Sequence, residues 1–247
     1  MSGKPVLVRG STADRVLRIG VVIAALAFAL YIPQGYSPYR VFQFTMVLVY
    51  IPAVLGLNLL TGFNGQISLG HSFFFGAGAY ISAVLIATHD WNYLATIPVA
   101  AAATWLLGYL FDIPALRLHG LYLALVTLAL AVVFAPVIKS KQLNEITNGA
   151  NGMVVPRVEP PAAVDLAAYQ WLYYVCLSVV IVLLVLAWNL TRSRLGRAMV
   201  ALRDNPIAAE TMGIRGARVK TRVFAFSTMY AGVAGSLYAF AVAVVSP

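Results

Sequence analysis

"TGFNGQISLGHSFFFGAGAY", Thr61 to Tyr80, lies between two apolar runs and holds five glycines, an asparagine, a glutamine, a histidine and three consecutive phenylalanines. Each glycine costs a helix about 1 kcal/mol relative to alanine. Five of them (Gly62, Gly65, Gly70, Gly76 and Gly78) would leave a lipid-exposed helix weak. They suit two other situations. One is close helix packing, for which Gly78 and Ser82 have the small-xxx-small spacing. The other is a helix that breaks and leaves backbone groups on a cavity, because irregular backbone at membrane depth survives only when buried in protein or lining such a cavity. A simple membrane anchor has no use for either.

Outward from this stretch the chain is made for lipid. Of its 247 residues 61% are hydrophobic and 10% charged, where a soluble domain has about 45–50% and about 25%. The apolar residues fall into seven runs near the ~20 residues a membrane-spanning helix needs: 17–32, 41–60, 66–87, 93–111, 119–138, 169–190 and 223–245. No polar segment is long enough for a second domain, so residues 1–247 are expected to form one all-α, polytopic bundle with a broken, glycine-rich helix near 61–80.

The net charge of +9 invites a nucleic-acid reading, but its distribution points to topology. With the N-terminus inside, thirteen Lys and Arg fall on the cytoplasmic side and four (Arg40, Lys139, Lys141, Arg157) outside, which satisfies the positive-inside bias. The first run is expected to be an uncleaved helix, since apolar residues continue past its A-x-A spacings. The single cysteine, Cys176, forms no internal disulfide and supports no metal site.

The acidic residues are all assigned to connections or flanks, Asp112 among them, so no span is expected to carry a carboxylate. Ion-coupled transporters usually place carboxylates there, which counts against that class without excluding it. The chain has no G-x-x-x-x-G-K-[ST] phosphate loop, no H-E-x-x-H and no G-x-S-x-G. Catalytic residues, metal ligands and a cofactor are therefore not assigned, and an energy source would have to reside on another chain.

Between the sixth and seventh runs lies a basic segment, Thr191–Arg222. Leu195, Met199 and Leu202 recur at i, i+4 and i+7, one apolar helical face. After it, Asn205 or Asp204 serves as an N-cap and Pro206 suits the first helical position. Gly213 is placed to terminate the helix. The result is a short helix over Pro206–Met212 with Ala208 and Ala209 mid-way. An amphipathic helix on anionic lipid and a docking element for another protein both fit this pattern.

The pattern "S-x-L-G-R-A-x-x-A-x-R-D-N-P-x-A-A-E-x-x-G-I", Ser193–Ile214, resembles the cytoplasmic coupling loop of ABC importer permeases in the form found in the LivM-like family of branched-chain amino acid permeases. Leu60–Tyr80 is similar to that family's signature. Leu116–Ala131, "TNGANGM" at Thr147–Met153 and "SLYAFAVAVVSP" at Ser236–Pro247 resemble three further segments in the family's order. His119-Gly120 stands where the family commonly has Arg-Gly, and Ala131–Val132 where it often has a carboxylate. Family members continue past the Ser-Pro at 246–247, so the resemblance implies a C-terminally truncated chain.

The resemblance implies a permease subunit of the bacterial inner membrane that moves branched-chain amino acids. ATP would be hydrolysed on partner ATPases, a second homologous permease would complete the pathway, and a solute-binding protein would deliver substrate; no nucleic acid takes part. It implies a substrate pathway at Asn64, Gly65, Gln66, Ser68, Gly70, His71, Phe74, Gly76 and Gly78, and ATPase coupling through Arg203, Asp204, Asn205, Pro206, Ala208, Ala209, Glu210 and Gly213. The polar side chains of the first set could solvate a zwitterion while Phe73–Phe75 face a branched side chain. His71 equally fits an interhelical hydrogen bond, the commoner use of such a residue. Close relatives import urea or short amides, and an ATP-independent secondary transporter or a non-transporting scaffold are the other classes.

Overall fold

The long helix nearest the C-terminus, Gly216–Val242, is less apolar than any other spanning helix and yet the most enclosed. Of its most apolar stretch 83% is buried, against 22–44% in the other four, which makes it the centre of the bundle. A central helix needs small residues and hydroxyls that let neighbours approach, whereas the outer helices need leucine and valine for lipid. In chain order the helices are α1 Thr12–Gly35, α2 Pro38–Leu57, α3 His71–His89, α4 Tyr93–Ala115, α5 Leu121–Ile138, α6 Lys141–Thr147, α7 Ala168–Arg192, α8 Arg194–Asp204, α9 Pro206–Thr211 and the central α10. The computed structural model describes residues 12–115, 121–161 and 164–246. His119 and Gly120, on which the second family segment turns, lie outside them.

Among the described residues each of the seven expected spans is mostly helical, but 66–70 are not and 244–245 form a strand. Five helices among the described residues are long and apolar enough to cross a membrane: Pro38–Phe63, His71–His89, Tyr93–Pro114, Ala168–Arg192 and Gly216–Val242. The first and fifth expected spans have shorter apolar portions, Ile19–Gly35 and Tyr122–Ile138.

α10 packs against α2, α3 and α4. At the α3–α10 seam a Cβ on Gly78 would collide with the Gly232 carbonyl, and one on Gly235 with the carbonyl of Phe75. The two backbones therefore touch directly. Ser82 Oγ donates to Ser236 Oγ across the same seam at 2.7 Å, both residues fully buried. The Gly78/Ser82 spacing thus does what the sequence leads one to expect, and Ala231–Ser236 is buried throughout. Thr228 Oγ1 reaches the Thr104 carbonyl of α4 at 3.0 Å, and Tyr230 OH reaches the Leu183 carbonyl of α7 at 2.8 Å.

At the far end from the basic segment, β1 (Met153–Val154) pairs antiparallel with β2 (Val244–Val245). Val155 N–H adds a bond of 2.8 Å to the Ala243 carbonyl. The segment that follows Gly152 and the end of α10 are thereby stitched together.

One expectation is overturned. Asp112 is not in a connection: α4 continues to Ala115 and Asp112 is fully buried within its last turn. A charged residue at the edge of an apolar run reads as the end of a span. Here the helix runs one turn further, and the carboxylate is covered near Thr221 and Lys220 of α10.

Candidate functional site

The helix break occupies residues 64–70 and no more. α2 winds into a π-helical turn, Asn58–Phe63, before the chain leaves helical geometry, and α3 starts cleanly at His71. Phe73–Phe75, Gly76 and Gly78 therefore sit on a regular helix. Gly65 carries the one conformation here that demands glycine, a φ of +72°.

The polar side chains of the break turn toward one another. Asn64, 3% exposed, donates from Nδ2 to Gln66 Oε1 at 2.5 Å, while its own Oδ1 has no protein partner. Gln66 N–H bonds back to the Leu60 carbonyl at 3.2 Å, closing the turn. Buried Ser68 accepts from Gly70 N–H at 3.4 Å and lies 3.1 Å from His71 Nδ1. Leu69 N–H is held by Thr127 Oγ1 of α5 at 3.0 Å, and a side chain on Gly70 would meet the Thr127 carbonyl.

His71 Nε2 lies 2.6 Å from Ser227 Oγ on α10, and that hydroxyl donates to the Gly56 carbonyl of α2 at 2.5 Å. Since Ser227 spends its proton on Gly56, its oxygen accepts from His71, which places the imidazole proton on Nε2 and leaves Nδ1 to accept from Ser68. One histidine thus ties the break, α3, α10 and α2 together, the packing role anticipated as the commoner one.

Phe74 is fully buried, edge-on to Phe224 (centroids 5.8 Å apart) and Phe111 (6.5 Å). Gly76 admits the ring of Phe134, and Phe75 stacks on Tyr50 at 5.9 Å. Phe73 packs edge-on to Phe74 at 5.2 Å while Phe75 turns to Tyr50 and Tyr238, so the three do not form one wall.

The basic segment folds into two capped helices. Ser193 Oγ accepts from Leu195 and Gly196 N–H at 3.1 and 3.3 Å to start α8. Met199 (0% exposed) and Leu202 (3%) are buried as the i, i+4, i+7 pattern requires, and Met199 joins Leu60, Phe74, Val223 and Phe224 in one core. Asn205 Oδ1 accepts from Ala208 N–H at 3.0 Å and Pro206 opens α9. At its end Gly213 (φ +83°) donates to the Glu210 carbonyl at 3.0 Å and Ile214 to the Ala209 carbonyl at 3.1 Å, a Schellman closure.

Ala208 and Glu210 are exposed, but Ala209 is 4% exposed and packs into its own chain. The side chains that protrude are Ile207 and Met212, 78% and 84% exposed. Sequence reasoning passed over both, although two large apolar residues on a short capped helix in a basic segment are a signal of their own.

Beyond the apolar core at Met199, the two regions meet at a charged side chain. Arg203 donates from a terminal guanidinium nitrogen to the Gly62 carbonyl at 2.7 Å, and its Cγ lies where a Cβ on Gly65 would come within 2.9 Å. Asp204 holds the other face of the guanidinium at 2.9 Å. No sequence spacing relates residues 62 and 203. The link exists only in the fold.

A polytopic helical bundle with a broken helix, a buried small-residue seam and a docked basic segment has the architecture of a multi-pass membrane protein. The family model described as "Branched-chain amino acid transport system / permease component" matches residues 39–247, and the chain belongs to that family. Among curated proteins it is 31% identical to the high-affinity branched-chain amino acid transport system permease protein LivM of Salmonella typhimurium and 30% identical to that of Escherichia coli K12. Each match covers 96% of this chain and 60% of the relative, so the chain spans about three-fifths of their length. No solved structure matches it.

Proposed function

We propose that the chain is a single permease domain of an ABC importer for branched-chain amino acids, multi-pass in the bacterial inner membrane with its N-terminus cytoplasmic. ATP is hydrolysed on partner ATPases that receive α9. A second permease subunit completes the pathway, and a solute-binding protein delivers substrate from outside. The relatives' names support the substrate class, and the bias of basic residues supports the orientation.

The observation that carries this reading is the contact of Arg203 with Gly62 and Gly65. A segment with apolar residues presented on a capped tip is wired, through one buried face and one guanidinium, to the only irregular backbone between α2 and α3. Nucleotide-driven motion can bias which way a bundle faces only through contacts that differ between its states. Arg203 provides such a contact. The pathway set remains Asn64, Gly65, Gln66, Ser68, Gly70, His71, Phe74, Gly76 and Gly78, with Asn64 Oδ1 a buried acceptor without a protein partner. Phe74 and Gly78 serve it by fixing α3 against α10.

The test is co-purification and uptake with the partner ATPases. Ile207→Asp together with Met212→Asp should abolish both ATPase capture and leucine uptake while the permease still reaches the membrane. Intact capture in that variant sinks the docking role of α9.

Asp112 favours a second reading, since a buried intramembrane carboxylate is what ion-driven transporters carry. Nucleotide-free uptake in vesicles driven by a proton or sodium gradient, lost on Asp112→Asn, would establish it. Uptake that needs ATP and survives Asp112→Asn establishes the first.

A further inference from the structure

Where α4 ends and α10 begins, a cleft of about 410 Å³ opens between Tyr109 and Ile113 on one helix and Ala217, Arg218, Thr221 and Arg222 on the other. Arg218 and Arg222 are one helical turn apart and share a face. Both are exposed, and among the described residues neither has an ion pair or a side-chain hydrogen bond. Thr221, 5% exposed, lines the cleft beside the buried Asp112. Its nearest acidic neighbours, Asp112 buried behind Thr221 and Glu210 over the first turn of α10, do not line it. Two unpaired guanidinium groups, flanked by a threonine and a tyrosine, form a receptor for an anion with several acceptor oxygens.

We propose that this cleft binds the phosphodiester head group of an anionic phospholipid. The inference is independent of what drives transport. Three features select a lipid over a free ion. The cleft is far larger than inorganic phosphate needs. It lies at the end of the bundle that carries the basic segment, where basic pockets between spans meet anionic head groups. Its α4 wall also continues as an apolar face, with Ile113, Leu110 and Leu106 each about half exposed, along which acyl chains can lie. Tyr109 is stacked on Trp105 at 5.5 Å, an aromatic pair of the kind that marks the membrane–water interface.

Native mass spectrometry of the purified full chain, offered equal amounts of phosphatidylglycerol and phosphatidylcholine, tests it. The expected result is selective retention of phosphatidylglycerol that falls roughly ten- to thirtyfold in Arg218→Ala/Arg222→Ala, at about 1 kcal/mol per arginine. Retention should survive in Arg218→Lys/Arg222→Lys, fall less in Thr221→Val and be unchanged in Arg194→Ala/Arg197→Ala, which removes equal charge elsewhere on the same segment. An unchanged thermal midpoint in detergent certifies that the alanine variant is folded, and a folded alanine variant that keeps its phosphatidylglycerol overturns the proposal. Equal loss in the Arg194/Arg197 variant would mean diffuse surface charge and overturns it too. So does displacement of the lipid by millimolar inorganic phosphate, which would make the site one for a free anion.

Discussion

Two regions of this molecule use glycine for opposite ends. At the α3–α10 seam Gly78 and Gly235 let two backbones touch, and nothing in that contact can slide without a collision. In the break, 64–70, glycine releases the chain from helical geometry, and the pieces are then held by individual side-chain hydrogen bonds: Asn64 to Gln66, Ser68 to His71, and Leu69 N–H to Thr127 Oγ1. The seam is buried; the guanidinium bracing the break is 43% exposed. A bundle that must alternate between facings needs both kinds of contact, one that stays and one that can be remade. Packed cores switch between discrete arrangements and do not deform continuously. The expectation is therefore that motion concentrates at the break and the seam travels as one body.

The strongest way to break this contrast is to crowd the seam. Gly78→Leu sets a side chain against the Gly232 backbone, which has nowhere to go. The loss should reach or exceed the ~1–3 kcal/mol typical of overpacking, seen as a collapsed melting transition in detergent. A soluble, normally melting variant would mean that α3 and α10 can part. In the break the same logic acts through conformation. Gly65→Val puts a β-branched residue at φ +72° and pushes on Arg203, for a cost of roughly 1–3 kcal/mol. That cost should appear as faster hydrogen exchange over 60–70, with the seam amides unchanged. Exchange rising in both regions together would erase the distinction.

The seam was the more legible of the two in the amino-acid sequence, for a physical reason. Close helix packing writes itself as a local period, Gly78 with Ser82 and the small residues of Ala231–Ser236, and both survive unchanged in the fold. The capped helix after Asn205 was equally plain, because capping chemistry is local: Asn205, Pro206 and Gly213 each act within a few residues. Contacts between distant segments leave no such trace. Nothing at position 203 announces Gly62, and nothing at 71 announces Ser227. Asp112 misled for the converse reason, since a charge at the edge of an apolar run has the same local appearance whether the helix stops there or runs one turn further under cover. Ala209 looked like an interface residue and is an interior one, its smallness serving the chain's own packing.

A milder probe sharpens the comparison from the inner side. Asn205→Ala removes the side-chain acceptor for Ala208 N–H. An N-cap is worth about 1 kcal/mol, and a helix of six residues has little else to hold it. Exchange should accelerate over 206–212 while the global melting point barely moves. If ATPase capture depends on a preformed α9, capture should weaken in proportion, and binding that is indifferent to this variant would mean that the partner reads an unfolded tip.

The smallest expected change in stability is the most telling. Arg203→Lys keeps the charge and much of the aliphatic stem against Gly65, but an ammonium is a single point where the guanidinium is a fork that meets Gly62 and Asp204 at once. The loss is one partly exposed hydrogen bond, about 0.5–1.5 kcal/mol before solvent compensation, so the melting point should stay within a degree or two of the parent. Transport responds to a different quantity. If Arg203 carries motion from α9 to the break, ATP hydrolysis by the assembled transporter continues while uptake per ATP falls, because the inner segment can move without taking Gly62 with it. A variant that lowers hydrolysis and uptake together has lost docking; one that changes neither shows that the buried face of Met199 and Leu202 transmits the motion alone. Only the uncoupled outcome assigns the link to the guanidinium, and no stability measurement could distinguish the three.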